Sequence, residues 1–131
     1  MDNKTVHLAD DDEDDRMLFK EALQETDPDI KVVEAQNGKE LIENIKNDHD
    51  LDDAIIVVDM NMPKMNGIET IKAIRDDLNL SEVPAVMLST SSSPELKKKA
   101  IEAGATEYFT KPNSFNALIL IAKKILLRFF K

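Results

Sequence analysis

The stretch Ile55-Ile56-Val57-Val58-Asp59-Met60-Asn61-Met62-Pro63-Lys64-Met65-Asn66-Gly67 decides how the whole chain is read. Its opening run of β-branched residues is the pattern of a strand buried on both faces, as central parallel strands are. The run ends in a carboxylate. Asn61, Pro63 and Asn66-Gly67 then break the strand and turn the chain. Asp59 therefore stands at the carboxyl end of a central strand, where open α/β sheets place their ligands. Taken alone, Asp59 would serve equally well as a cap on the following turn, a common use of Asp. The flanking sequence separates the two readings.

On the N-terminal side, Thr5 to Ala9 is short and mostly apolar and ends at the acidic run Asp10-Asp11-Asp12-Glu13-Asp14-Asp15. Leu18, Phe19, Ala22 and Leu23 follow at helical spacing, and Thr26-Asp27-Pro28-Asp29 stops that helix. Lys31 to Ala35 reads as a second strand, and Asn37-Gly38 turns the chain into a helix marked by Leu41, Ile42 and Ile45. A polar loop, Asn47 to Asp53, leads back to the central strand.

On the C-terminal side, Ile68, Ile71 and Ile74 mark a third helix, and Pro84 to Ser89 is a fourth strand. Ser93 caps the next helix with Pro94 in its first turn, and Gly104 closes it. Glu107 to Thr110 is a fifth strand, ending at Lys111-Pro112. Asn113 or Ser114 starts a last helix that runs almost to Lys131, with Phe115, Leu118, Ile119, Ala122, Ile125, Leu126 and Phe129 as its core stripe. Strand and helix alternate five times, which implies an α/β fold: a parallel sheet with helices on both faces.

The totals agree with one domain, residues 1–131, of near-modal size. Hydrophobic residues are 42% and charged residues 33%, and the net charge of −9 argues against unaided binding to nucleic acid or an anionic membrane. The absence of cysteine excludes disulfides, thiol catalysis and zinc-thiolate sites. Met1-Asp2-Asn3-Lys4 leads straight into a strand, and no uncharged run is long enough to span a membrane, so a cytoplasmic location is expected.

In such a fold the strand carboxyl ends share one edge, which collects Asp10-Asp11, Asp59, Ser89 and Lys111. The second strand, ending near Gln36-Asn37, brings nothing reactive. Crowded carboxylates repel: two unit charges about 4 Å apart cost roughly 4 kcal/mol at an effective dielectric near 20. A hard divalent ion offsets that cost, and oxygen donors without Cys favour Mg²⁺ over zinc or copper. His7, in a strand, and His49, in a loop, have no ligand partner at useful spacing and read as structural or surface residues. Mg²⁺, one strand-end carboxylate, a hydroxyl and a lysine suit phosphoryl transfer to Asp59, which needs mainly positioning and charge stabilisation.

At these residues the chain resembles a response-regulator receiver domain. The resemblance runs from Asp10-Asp11 to Lys111-Pro112 and the closing helix. It is carried jointly by the acidic pair, Val57-Val58-Asp59-Met60-Asn61-Met62-Pro63-Lys64-Met65-Asn66-Gly67, Ser89-Thr90, and Ala103-Gly104-Ala105-Thr106-Glu107-Tyr108-Phe109-Thr110-Lys111-Pro112. It implies a flavodoxin-like, doubly wound five-stranded sheet of order 2-1-3-4-5. It implies Asp59 as phosphoacceptor, Asp10 and Asp11 as Mg²⁺-binding acids with Asp59, and Asn61 as a ligand through its backbone carbonyl. Ser89 becomes the switch hydroxyl, Lys111 the phosphate-pairing cation and Tyr108 the switch aromatic. Asn61 and Ser91, two residues past the phosphoacceptor and the switch hydroxyl, tune access for hydrolytic water.

The implied partners are a sensor histidine kinase or histidine phosphotransfer protein and a downstream protein target. With no output domain after Lys131, a stand-alone module signalling by protein binding is expected, rather than an enzyme. Two features leave the pattern open. Ser stands at position 89 where Thr is frequent, and the six-residue acidic run admits Asp11-Asp12 as the functional pair, although a strand ending at Ala9 favours Asp10-Asp11.

Three other readings compete. Asp10, Asp12, Asp14 and Glu21 match positions 1, 3, 5 and 12 of a calcium-binding EF-hand loop, but position 6, normally Gly, is Asp15. An Asp-nucleophile phosphatase usually carries a second Asp two residues on, and here that residue is Asn61. A degenerate receiver acting only as a scaffold does not need all the motif positions, and all are present. On the last helix, Leu120 and Leu127 project opposite the core stripe with Lys123 and Lys124 beside them. They are either incidental surface leucines or a docking patch for a homodimer or another partner. Lys97-Lys98-Lys99 reads as a solvated helix face.

Overall fold

The alternating pattern closes into a five-stranded parallel sheet of order β2-β1-β3-β4-β5. The computed structural model describes residues 4–130, so the leaderless start read at Met1 to Asn3, and Lys131, lie outside the described residues. The elements are β1 (Thr5–Ala9), α1 (Glu13–Thr26), β2 (Lys31–Ala35), α2 (Gly38–Lys46), β3 (Ala54–Asp59), α3 (Gly67–Asp76), β4 (Ala85–Ser89), α4 (Pro94–Ala103), β5 (Glu107–Thr110) and α5 (Phe115–Phe129). The five strands and five helices expected from the sequence are all present.

Successive side chains on a strand point to opposite faces, and the apolar runs of β1 and β3 therefore feed two cores. Val6, Leu8, Ile55 and Val57 pack with Phe19, Ala22 and Leu23 of α1 and Ala122, Ile125 and Leu126 of α5. Ala9, Ile56 and Val58 pack on the other face with Leu41 and Ile45 of α2 and Ile71 and Ile74 of α3. Each large side chain so buried contributes about 1.5–3 kcal/mol relative to exposure. This explains the unbroken apolar run of β3, which alternation would interrupt in a half-exposed strand.

Two members of the expected helix stripes are not core. Leu18 on α1 and Phe115 on α5 are exposed. Periodicity identifies the apolar face of a helix, but not how far the sheet beneath extends. Both residues instead flank a cavity of about 120 Å³, also lined by Phe19, Leu88, Lys111 and Leu118, where α1 and α5 meet at the edge of the sheet.

The helix starts follow from local chemistry. Asp12, Asn37, Asn66, Ser93 and Ser114 each accept a backbone N–H of the first turn. Asn66 and Glu69 form a reciprocal capping box, worth about 1 kcal/mol per cap. Gly104 ends α4 at φ 117°, where a Cβ would also meet the Arg75 side chain at 2.6 Å. The Arg75 guanidinium donates to the carbonyls of Gly104, Leu80 and Val83, stitching α3 to the end of α4 and to the loop before β4. The two histidines stay away from the acidic edge. His7 is buried with Nε2 2.7 Å from Asp48 Oδ2, and His49 is exposed in the same loop.

Candidate functional site

The parallel register assembles the site. Ala9 lies beside Val58, Asp59 beside Leu88, and Ser89 beside Thr110, so Asp10, Asp59, Ser89 and Lys111 follow one another along one edge. The chain reverses its direction of travel across the sheet between β1 and β3, and the crevice outside those two strands is where such sheets bind ligands. Gly67 lets α3 start against this edge, since a Cβ there would meet the Asp59 carbonyl oxygen at 2.8 Å.

Asp10 and Asp59 are buried, at 4% and 5% exposure, and Asp11 is exposed beside them. One carboxylate oxygen from each of Asp10, Asp11 and Asp59 lies within 4.8 Å of the others. Asp10 also accepts the Asp12 N–H at 3.0 Å, while Arg16 donates to the Asp10 carbonyl at 2.7 Å and holds the β1–α1 turn. Asp12 caps α1, and Asp14 and Glu21 lie exposed on that helix. The four residues of the EF-hand reading therefore do not surround one point, because the acidic run divides into a strand end and a helix start.

The Lys111 ammonium meets three carboxylates. Nζ lies 3.1 Å from Asp10 Oδ2, 3.0 Å from Asp59 Oδ1 and 3.2 Å from Asp15 Oδ2. Its hydrogen bonds go to Asp10 and Asp15, whereas Asp59 Oδ1, although closest, accepts no well-directed hydrogen bond. Asp15 was not among the residues expected at this edge. The signal lay in the N-cap at Asp12, because a first-turn side chain three residues on points back toward the strand ends.

Burial, and next the neighbouring Asp10 charge, push Asp59 up from an ordinary 3.8 to about 6, against the pull of Lys111. Burial also raises Asp10. Burial alone would lower Lys111, but Asp10 and Asp59 outweigh it and hold the ammonium protonated well above its usual range. At neutral pH the site is thus a pair of strained carboxylates around one fixed cation. Perturbation of this kind in a crevice is characteristic of functional sites.

The donor set fits a hard divalent cation. It consists of oxygens only, their mutual repulsion is incompletely offset by one ammonium, and Asp59 Oδ1 is buried without a directed donor.

Ser89 is buried at the end of β4, and its Oγ accepts the Ser91 N–H at 3.1 Å. The Ser91 carbonyl in turn accepts the Tyr108 hydroxyl at 2.6 Å, with the Tyr108 ring already buried in the core. Ser89, Ser91 and Tyr108 thus form one linked unit. Asn61 is exposed at the start of the β3–α3 loop. Leu120 and Leu127 are exposed at 58% and 75%, on the far side of α5 from the core and not part of this edge.

Comparison with known proteins agrees with this arrangement. The family model for the response regulator receiver domain matches residues 6–123. Helicobacter pylori CheAY, a sensor histidine kinase, is 32% identical over 119 residues, covering 91% of this chain and 14% of that protein. Helicobacter pylori chemotaxis protein CheY1 is 35% identical over 81 residues, 62% of this chain and 64% of CheY1. This chain therefore spans a small part of the kinase and just under two thirds of CheY1. Among solved structures, Vibrio cholerae CheY4 superposes with a TM-score of 0.79 at 30% identity, covering 94% of this chain and 98% of that one. The phosphorylated cyanobacterial phytochrome response regulator RcpA superposes with a TM-score of 0.84 at 27% identity, covering 98% and 95%. With its sheet order, its acidic edge and a family match across nearly its whole length, the chain belongs to the response regulator receiver domains of two-component signalling.

Proposed function

We propose that this receiver accepts a phosphoryl group on Asp59 from the phosphohistidine of a sensor kinase or a histidine phosphotransfer protein, and signals by phosphorylation-dependent binding of another protein. The observation that carries this reading is the convergence of the Asp10, Asp11 and Asp59 carboxylates beside the Lys111 ammonium, 3.0 Å from Asp59. The kinase relative and the phosphorylated RcpA structure support the same reading.

In the transfer, a carboxylate oxygen of Asp59 attacks phosphorus, the phosphorus–nitrogen bond to imidazole breaks, and the electron pair leaves with the imidazole nitrogen, which takes up a proton. An acyl phosphate on Asp59 results. Asp10, Asp11, Asp59 and the Asn61 carbonyl would hold Mg²⁺, which would neutralise charge on the phosphoryl oxygens. Lys111 pairs with a second phosphoryl oxygen, and Ser89 Oγ turns to a third. Turning Ser89 releases the Ser91 N–H and so disturbs the loop that Tyr108 grips, which carries the signal toward α4 and β5. Asn61 and Ser91 flank the approach of hydrolytic water.

The module acts as a signalling domain of the cytoplasm rather than as an enzyme with a separate substrate, and its acidic charge disfavours nucleic acid as partner. Among the described residues, no helix is long and apolar enough to cross a membrane. Incubation with Mg²⁺ and acetyl phosphate, followed by intact mass and peptide mapping, should add one phosphoryl group at Asp59. Asp59→Asn should abolish it, as should omission of divalent ions. Full modification of Asp59→Asn would overturn the assignment.

A further inference from the structure

Lys111 has three N–H donors and three carboxylate neighbours, and the longest of those contacts, to Asp15 at 3.2 Å, is also the most solvent-accessible. The Asp15 side chain is 48% exposed, against 5% for Asp10 and 6% for Asp59. It belongs to α1, not to a strand end, and it stands outside the cluster suited to a cation. Its carboxylate nevertheless takes a hydrogen bond from the same ammonium that lies 3.0 Å from Asp59 Oδ1.

We propose that Asp15 is a positioning residue for Lys111, occupying one donor of the ammonium until an arriving phosphoryl oxygen replaces the Asp15 carboxylate. The proposal rests on Asp59 as phosphoacceptor. Each contact of the ammonium has a different fate when the phosphoryl group arrives. Asp59 carries the group, and Asp10 is buried at 4% exposure. Asp15, half in solvent, is rehydrated at least cost. Lys111 therefore exchanges Asp15 for the phosphoryl group with little movement of its backbone, which the Ser89 carbonyl holds through a 2.7 Å hydrogen bond to the Lys111 N–H. Asp15 stabilises the unphosphorylated arrangement and slows entry of the phosphoryl group. The contact of a partly exposed pair is modest, so the effect on rate is about two- to fivefold.

Removing Asp15 also removes a negative charge near an anionic donor, and Asp14 separates the two effects. Asp14 is exposed, adjacent, in the same helical turn, and makes no ion pair with Lys111 among the described residues. With phosphoramidate and Mg²⁺, Asp15→Asn should be phosphorylated about two- to fivefold faster than wild type. Asp14→Asn and Asp15→Glu should stay near the wild-type rate, the latter because it restores the carboxylate. The ¹⁵N signal of the Lys111 ammonium in the unphosphorylated protein gives a second reading. It should shift, and its protons should exchange faster, in Asp15→Asn but not in Asp14→Asn. Equal rates and equal ammonium signals in the two Asn variants would overturn the proposal. So would slower phosphorylation of Asp15→Asn, because the carboxylate would then aid the transfer. A wild-type protein that takes no phosphoryl group would instead overturn the phosphoacceptor reading, and Asp15 would be left as a structural partner that the ammonium signal alone detects.

Discussion

Replacing Asp59 with Asn should make the metal-free protein more stable. The reason is in the site: folding places Asp59 at 5% exposure beside Asp10, and raises it from an ordinary 3.8 to about 6. A raised acid binds its proton more tightly in the folded chain than in the unfolded one. Below about 3.8 both states are protonated and the group contributes nothing; between 3.8 and about 6 the penalty grows; above 6 it is complete. A shift of about two units corresponds to roughly 3 kcal/mol at 1.36 kcal/mol per unit. The Asn variant also loses the ion pair with Lys111, although Asp10 and Asp15 remain to satisfy that ammonium. The net gain should therefore be about 1–2 kcal/mol at pH 7.5. Urea unfolding followed by circular dichroism, with a chelator present, measures it. The advantage should shrink as pH falls from 6 and vanish near pH 4. Mg²⁺ should narrow it at pH 7.5, because the cation offsets charge that only the wild type carries. A destabilised Asn variant at pH 7.5, or an advantage independent of pH, would refute the reasoning.

Arg75→Ala should cost about 2–3 kcal/mol in the same unfolding assay, because the carbonyls of Leu80, Val83 and Gly104 lose their donor. Ser89→Ala should still accept a phosphoryl group, but phosphorylation should change the NMR signals around Tyr108 less than in wild type. Equal changes would refute the link through Ser91. Ser91→Tyr should slow loss of the phosphoryl group from Asp59 several-fold by obstructing water, measured as decay of the phosphorylated mass, and faster decay would refute that role. Leu120→Glu combined with Leu127→Glu should leave folding and phosphorylation intact while weakening self-association or partner capture; unchanged light scattering and capture would make the leucines plain surface.

The sequence by itself determined the elements. The unbroken run Ile55–Val58, the caps at Asn66 and Ser93 and the stop at Gly104 are local signals, because helix ends and buried strands are specified by nearby side chains. It also determined which residues stand at strand ends, since an acid after an apolar run has no other place in such a sheet. The strand order came only with the resemblance, because periodicity says which face of a strand is buried and nothing about its neighbour. Tertiary structure decided the rest. Which acids of the run converge with Asp59 turns on where α1 begins: Asp12 caps that helix, and Asp10 and Asp11 lie beside Asp59. Leu18 and Phe115 fit their stripes yet lie beyond the cover of the sheet. Asp15 reaches Lys111 across 96 positions of sequence: the local cap at Asp12 aims the first turn at the strand ends, but only the packing of α1 beside the end of β5 supplies the partner.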